Sequence, residues 1–259
     1  MTLAFYEPAG DDVFRSTPAT AGPWDPAAQH GGPPSALIGR ALERCQPRAD
    51  TRLARVTVEI LGPVPVGELR VRARVARPGR RVELVEAAVE SGGREVLRAT
   101  GWRIAIAAGK CPAIRHPNAP PPRPASAQDF SFDGADGFGY GDAVEWRFAS
   151  GAPDRPGPAA VWTRLRGGVV AGEEPTGWQR VLAVADSGNG ISAELPLRQW
   201  LFINPELTVH LVRPPVGEWV CVQARTTASA DGIGLAQTAI SDLDGRIGAG
   251  AQSLLVAPR

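Results

Sequence analysis

Leu207-Thr208-Val209-His210-Leu211-Val212-Arg213-Pro214-Pro215-Val216-Gly217-Glu218-Trp219-Val220-Cys221-Val222-Gln223-Ala224-Arg225 can be laid, with one gap, on Val56-Thr57-Val58-Glu59-Ile60-Leu61-Gly62-Pro63-Val64-Pro65-Val66-Gly67-Glu68-Leu69-Arg70-Val71-Arg72-Ala73-Arg74. A Thr-Val pair, a Pro-Val-Gly-Glu turn and an alternation of apolar and polar residues recur in both. Alternation of period two marks strands with one wet face. Repetition of a whole supersecondary unit predicts two pseudo-symmetric copies on one chain, packed as a homodimer would be.

Outward from that repeat, each copy acquires a helix before it and a hairpin after it. In the first, Gln29-His30-Gly31-Gly32-Pro33-Pro34 leads into Ser35 to Arg44, where Leu37, Ile38, Ala41 and Leu42 form one apolar stripe. Proline is tolerated in a first helical turn, whose N–H groups lack partners anyway. Strands are predicted at Leu53–Ile60, Glu68–Val75, Val82–Glu90 and Val96–Ile106, as a four-stranded antiparallel meander with Gly92-Gly93 turning the last hairpin. Ahead of them, Phe5 to Phe14 reads as a short strand with a turn at Gly10-Asp11-Asp12, and Ala21 to Pro26 as a loop.

In the second copy, strands at Asp142–Phe148 and Ala160–Arg166 precede a helix around Gly177 to Asp186. Gly234–Ser241 and Gly245–Val256 supply the closing hairpin about Asp244-Gly245. Between the copies, Lys110 to Gly141 carries Pro112, Pro117, Pro120, Pro121, Pro122 and Pro124, and reads as a connection tacked down by Phe130, Phe132 and Phe138. The expected division is 1–109, 110–141 and 142–259.

Composition narrows the function. The 259 residues carry a formal net charge of +1, so nothing points to nucleic acid or to a membrane surface. No apolar run approaches the ~18–20 residues of a spanning helix, and Met1 to Tyr6 lacks the basic start of a signal peptide. Cys45, Cys111 and Cys221, like His30, His116 and His210, show no metal-ligand spacing. The expectation is a cytoplasmic protein without a metal. The absence of a Gly-x-Ser-x-Gly elbow and of a Gly-x-Gly-x-x-Gly turn argues against a serine hydrolase and a dinucleotide enzyme. Asp186, at the end of an apolar helix, is the residue to watch, because a buried carboxylate must be paired or satisfied.

A helix wrapped by a long antiparallel sheet, present twice, resembles the α+β double hotdog. At the residue level the chain is similar to the acyl-CoA thioesterase II (TesB-like) family over nearly its whole length. Gly31-Gly32, Val184-Ala185-Asp186, Asn204 through Arg213-Pro214 and Gly250-Ala251-Gln252-Ser253 carry the likeness. The resemblance implies that Asp186, Asn204 and Gln252 hold and activate a water, although the family more usually has a hydroxyl where Asn204 stands. It also implies an acyl-CoA substrate, no cofactor beyond the coenzyme A of that substrate, and a homo-oligomer. The first helix keeps His30-Gly31-Gly32 but has Gly39 where related thioesterases have the Asp. The second keeps Asp186 but opens with Gly177-Trp178. One site assembled across the two copies accounts for that split.

Thioester hydrolysis needs a nucleophilic water and donors for the carbonyl oxygen. Asp186 would be the base, and the N–H groups of Gly31 and Gly32, free at a helix start, would receive the oxyanion with His30 beside them. Two alternatives remain open at this point. One is a double hotdog that binds acyl-CoA without turnover, and the other an enoyl-CoA hydratase using Asn204-Pro205 with His210.

Overall fold

The computed structural model describes residues 4–114, 119–130 and 137–259; His116, Pro117 and Phe132 lie outside them. The chain begins with β1 (Ala4–Gly10) and β2 (Val13–Ser16). The turn expected at Gly10-Asp11-Asp12 is present and makes the stretch a hairpin, with Asp12 at a positive φ of 57° where the chain reverses. Then come α1 (Gly32–Arg44), β3 (Thr51–Ile60), β4 (Glu68–Arg77), β5 (Val82–Ser91) and β6 (Arg94–Ala105). After the connection follow α2 (Gly139–Ala143), β7 (Val144–Ala152), β8 (Arg155–Leu165), β9 (Gly168–Val170), α3 (Gly177–Ala185) and α4 (Gly188–Ile191). The chain closes with β10 (Trp200–Ile203), β11 (Glu206–Leu211), β12 (Val220–Ala228), β13 (Ile233–Asp242) and β14 (Gly245–Pro258).

All strands join one sheet in the order β7-β8-β12-β13-β14-β11-β3-β6-β5-β4-β2-β1-β9, with β10 on β14. This is the double hotdog, two like halves meeting at β3 and β11. Their register puts Thr57 opposite Thr208, the residues that the repeat aligns, with the two hydroxyls 3.1 Å apart. A residue facing its own counterpart marks a pseudo-two-fold axis.

The predicted four-stranded meander needs one correction. β4, β5 and β6 do run consecutively, but β3 lies beyond β6 and pairs with β11. Each half would otherwise present an open edge there, and pairing the two edges satisfies both rows of backbone groups. Asp142 also moves from strand to helix, since α2 forms a single turn before β7. β9 and β10 were too short to register as periodic patterns. β9 is placed by parallel pairing with β1, and β10 by antiparallel pairing with β14.

The core lies where α1 and α3 pack together inside the sheet. Leu37, Ile38, Leu42, Val181 and Leu182 are fully buried. The helices approach closely because glycines face the partner. A Cβ on Gly32 would strike the carbonyl of Ala183, and one on Gly39 would strike the side chain of Leu182. Gly39 is therefore a packing residue at the helix contact. The connection is fastened by Phe130, whose ring stacks on Trp146 at 4.2 Å, and by buried Phe138.

Candidate functional site

α3 is set by its ends as much as by its apolar stripe. Thr176 caps it, accepting the Gln179 N–H at 3.2 Å. Its apolar residues face inward, and the chain leaves the helix at Asp186 before Ser187-Gly188 restarts it as α4. Asp186 thus sits at a helix junction, only 4% exposed.

The carboxylate is held asymmetrically. Oδ1 accepts from Asn204 Nδ2 at 2.8 Å and, more weakly, from Gln252 Nε2 at 3.4 Å. Gln252 Nε2 also donates to the Asp186 backbone carbonyl at 3.1 Å. Oδ2 receives no hydrogen bond among the described residues. It faces the other half of the molecule, where a Cβ on Gly31 would lie 2.6 Å from it and His30 Nδ1 stands at 3.5 Å. The structure therefore brings all six candidates, His30, Gly31, Gly32, Asp186, Asn204 and Gln252, into one cluster between the start of α1, the ends of α3 and β10, and the middle of β14.

His30 is neutral in this arrangement. Its Nδ1 accepts the Gly32 N–H at 3.0 Å, which requires an unprotonated nitrogen. Its 3.5 Å approach to Asp186 therefore joins two acceptors, and no ion pair forms. Burial lowers the imidazole below its usual range, an effect that the Asp186 charge partly offsets.

That same bond corrects an expectation. The first turn of α1 does not leave two free donors, because Gly32 gives its N–H to His30 and Pro33 and Pro34 have none. Ser35 N–H returns to the Gly31 carbonyl at 3.1 Å. Among the described residues, only the Gly31 N–H remains without an acceptor in that turn. The local reason is the imidazole two residues upstream, positioned to cap the helix from outside.

Two further residues support the cluster, and neither was singled out from the sequence. Asn189 donates its N–H to Gln252 Oε1 at 3.1 Å and its side-chain amide to the Phe202 carbonyl at 3.0 Å. The first bond fixes which end of the Gln252 amide faces Asp186. The polar, small run Ser187-Gly188-Asn189-Gly190 directly after Asp186 was the available signal. Tyr140 arrives from α2, its ring stacked on His30 with centroids 3.9 Å apart. Its hydroxyl donates to the Ala183 carbonyl at 2.9 Å and lies 2.8 Å from Ser187 Oγ. Burial pushes its phenol well above the ordinary range, so it stays protonated. No pattern in the Gly-rich connection announces it.

His210 is exposed on β11, opposite Arg55, and takes no part in the bonds around Asp186. No group of three or more His, Cys, Asp or Glu side chains is placed to hold a metal among the described residues. Nor is any helix long and apolar enough to cross a membrane. A cleft of about 970 Å³ lies away from Asp186, between the C-terminal end of α1 and the start of α3.

Known proteins share this fold. Residues 20–104 match a family model described as the acyl-CoA thioesterase N-terminal domain, and residues 117–256 match one described as the C-terminal domain. A structure designated a thioesterase, from Novosphingobium aromaticivorans, superposes with a TM-score of 0.73 at 21% identity, covering 98% of both chains. A tesB protein of Mycobacterium avium subs paratuberculosis gives 0.69 at 15% identity, covering 98% of this chain and 96% of its own. Acyl-CoA thioesterase II TesB2 from Mycobacterium marinum gives 0.65 at 13%, covering 98% and 95%. At these identities the structural likeness concerns the fold. No curated protein sequence matches the chain.

Proposed function

Because the chain belongs to the acyl-CoA thioesterase family, we propose that it hydrolyses an acyl-CoA thioester by water attack at Asp186. The observation that carries the reading is the asymmetry of the carboxylate. One oxygen is anchored by two amides, while the other is left without a donor beside Gly31. An anchored carboxylate with one free oxygen is what a general base requires, since the basic lone pair is aimed and need not be searched for.

A water held at Oδ2 gives that oxygen its proton as its own oxygen attacks the thioester carbonyl. The tetrahedral oxyanion takes the Gly31 N–H, with the α1 dipole favouring the charge. Collapse breaks the C–S bond, and the departing thiolate recovers the proton from Asp186. Asn204 and Gln252 act by holding Asp186, because their NH₂ groups already point at it. No metal or separate cofactor takes part in this scheme. Coenzyme A enters only as part of the substrate.

Free-thiol release from short, long and aromatic acyl-CoAs, with wild type and Asp186→Asn in parallel, tests the reading. The substituted amide matches the carboxylate in size and keeps an oxygen for Asn204, so the fold survives. General-base loss predicts a fall in kcat of ~10²–10⁴. Equal turnover in the two proteins would refute the role of Asp186. Absence of turnover on every thioester would favour a binding protein, and hydration of an enoyl-CoA would favour a hydratase.

A further inference from the structure

The pseudo-two-fold axis that passes between Thr57 and Thr208 relates the Asp186 site to a second place in the molecule. Strand registers carry the relation outward. Thr208 faces Ala251 as Thr57 faces Thr100, so Gly101 holds the position of Gln252. Ile203 faces Leu255 as Arg52 faces Ile104, so Leu53 holds the position of Asn204. The start of α3 replaces the start of α1, and the end of α1 replaces the end of α3. That second place is not filled in. It is the cleft of about 970 Å³, at the upper end of the ~300–1,000 Å³ typical of ligand sites.

We propose that this cleft is a second acyl-thioester site, one that holds its ligand without hydrolysing it. The ligand class rests on the thioesterase reading above; the existence of the site rests on symmetry and shape. Its walls are apolar, from Leu53, Ile104, Trp178, Leu211 and Pro215, and suit an acyl chain. Its rim is cationic. Arg52 is exposed and has no partner among the described residues, while Arg48 and Arg213 stand nearby in ion pairs with Asp50 and Asp242. Guanidinium groups at the mouth of an apolar cleft complement a ligand with an apolar tail and a phosphate-bearing head.

The hydrolytic equipment is missing. Leu53 and Gly101 supply no amide. The one carboxylate in its lining, Glu43, shares the single Thr176 hydroxyl proton between its two oxygens, at 3.0 and 2.8 Å, and accepts from Gln179 Nε2 at 3.1 Å. Each of its oxygens thus faces a donor, unlike Asp186 Oδ2. The N-terminal end of α3 carries Trp178 where α1 has glycine, and the indole N–H is spent on the Leu53 carbonyl at 3.2 Å.

Calorimetric titration of the full chain with S-octyl-coenzyme A, a thioether that has no carbonyl to hydrolyse, counts the sites. Two per chain are expected. The exposed Cys111 lies on the cleft wall, so its alkylation by a maleimide, followed by mass spectrometry, should slow about tenfold at about ten times Kd. Ala54→Trp, on the wall, should reduce the count to one and abolish the protection; if that variant does not fold, a bulky maleimide placed on Cys111 beforehand should likewise reduce the count to one. Fewer than two sites in the wild type, or unprotected Cys111, overturns the proposal. A single site with Asp186-dependent turnover overturns it alone, whereas no binding together with no turnover overturns the thioesterase reading too. Turnover that survives Asp186→Asn and is lost on blocking the cleft would refute its inertness.

Discussion

Replacing Gly31 by alanine should separate catalysis from folding. The backbone there (φ −65°, ψ −18°) suits any residue, so no strain arises from the dihedrals. The difficulty is the neighbour. A Cβ would sit 2.6 Å from Asp186 Oδ2 and 2.9 Å from its Cγ, whereas ordinary contact begins near 3.4 Å. The carboxylate must retreat by about 0.8 Å, close to the ~1 Å misplacement that costs ~10²-fold in rate. That is about 2.7 kcal/mol of transition-state stabilisation. The loss should fall on kcat, because the substitution displaces the base and leaves the backbone in place. Stability should drop by no more than a weakened charged hydrogen bond, ~1.5–3 kcal/mol. Gly32→Ala is the control: its Cβ meets a backbone carbonyl of α3 that cannot rotate aside, so overpacking of ~1–3 kcal/mol should lower Tm instead. Thiol-release kinetics beside thermal melts decide the matter. A Gly31→Ala enzyme with kcat within about twofold of wild type would refute the placement of the base against Gly31.

Other perturbations follow from the same geometry. Tyr140→Phe keeps the ring on His30 but removes the hydroxyl bonded to Ala183 and Ser187, costing ~1–3 kcal/mol in urea unfolding; Tyr140→Leu should lose kcat as well, and equal kinetics for the two would show that the stack is idle. Burial holds Glu43 above the ordinary carboxyl range, so between the unfolded and the raised folded values the native state binds the extra proton and stability falls as pH rises. Glu43→Gln should therefore gain stability relative to wild type as pH climbs from about 4.5 toward neutrality, and a pH-independent difference would contradict the shift. For His30 the sign reverses: burial lowers the folded imidazole, the unfolded chain takes the proton first, and stability is lost as pH falls from about 6.5 toward the lowered value. His30→Asn should flatten that loss in denaturant titrations over the same window.

The architecture was legible because its signals are periodic and repeated. Thr57 and Thr208 align in sequence and then face each other in the sheet, so the repeat predicted the copies, and the structure added the seam where they meet. Glycine and proline placed α1, and alternation placed β3 to β6. Pairing partners were not legible. Nothing in Thr51–Ile60 tells whether its neighbour is β4 or β11, since both choices bury the same face. At the site, Asp186, Asn204 and Gln252 could be named from a family likeness, but their orientation could not. An amide can be turned two ways, and at Gln252 the NH₂ is aimed at Asp186 because the Asn189 N–H takes the oxygen, a backbone direction that the run Ser187-Gly188-Asn189-Gly190 does not reveal. The Gly32 donor was misjudged for a similar reason. Whether a helix-start N–H is free depends on a side-chain rotamer two residues away, here that of His30.

The two halves differ in a way that the energetics of buried polar groups explains. A carboxylate as enclosed as Asp186 is tolerable only while its amides remain, and a buried amide is tolerable only while it has a partner. Removing one member of such a set leaves the others unsatisfied, so partial sets are costlier than complete or empty ones. The chain shows both extremes. One half keeps Asp186, Asn204 and Gln252 together, with Asn189 completing Gln252. In the other half, Leu53 and Gly101 stand in the amide positions, and Gly39 lies against Leu182 where an acidic side chain would clash. Restoring a single amide in that half, by Leu53→Asn, should therefore destabilise the protein without creating activity, because the group would meet no carboxylate with a free oxygen.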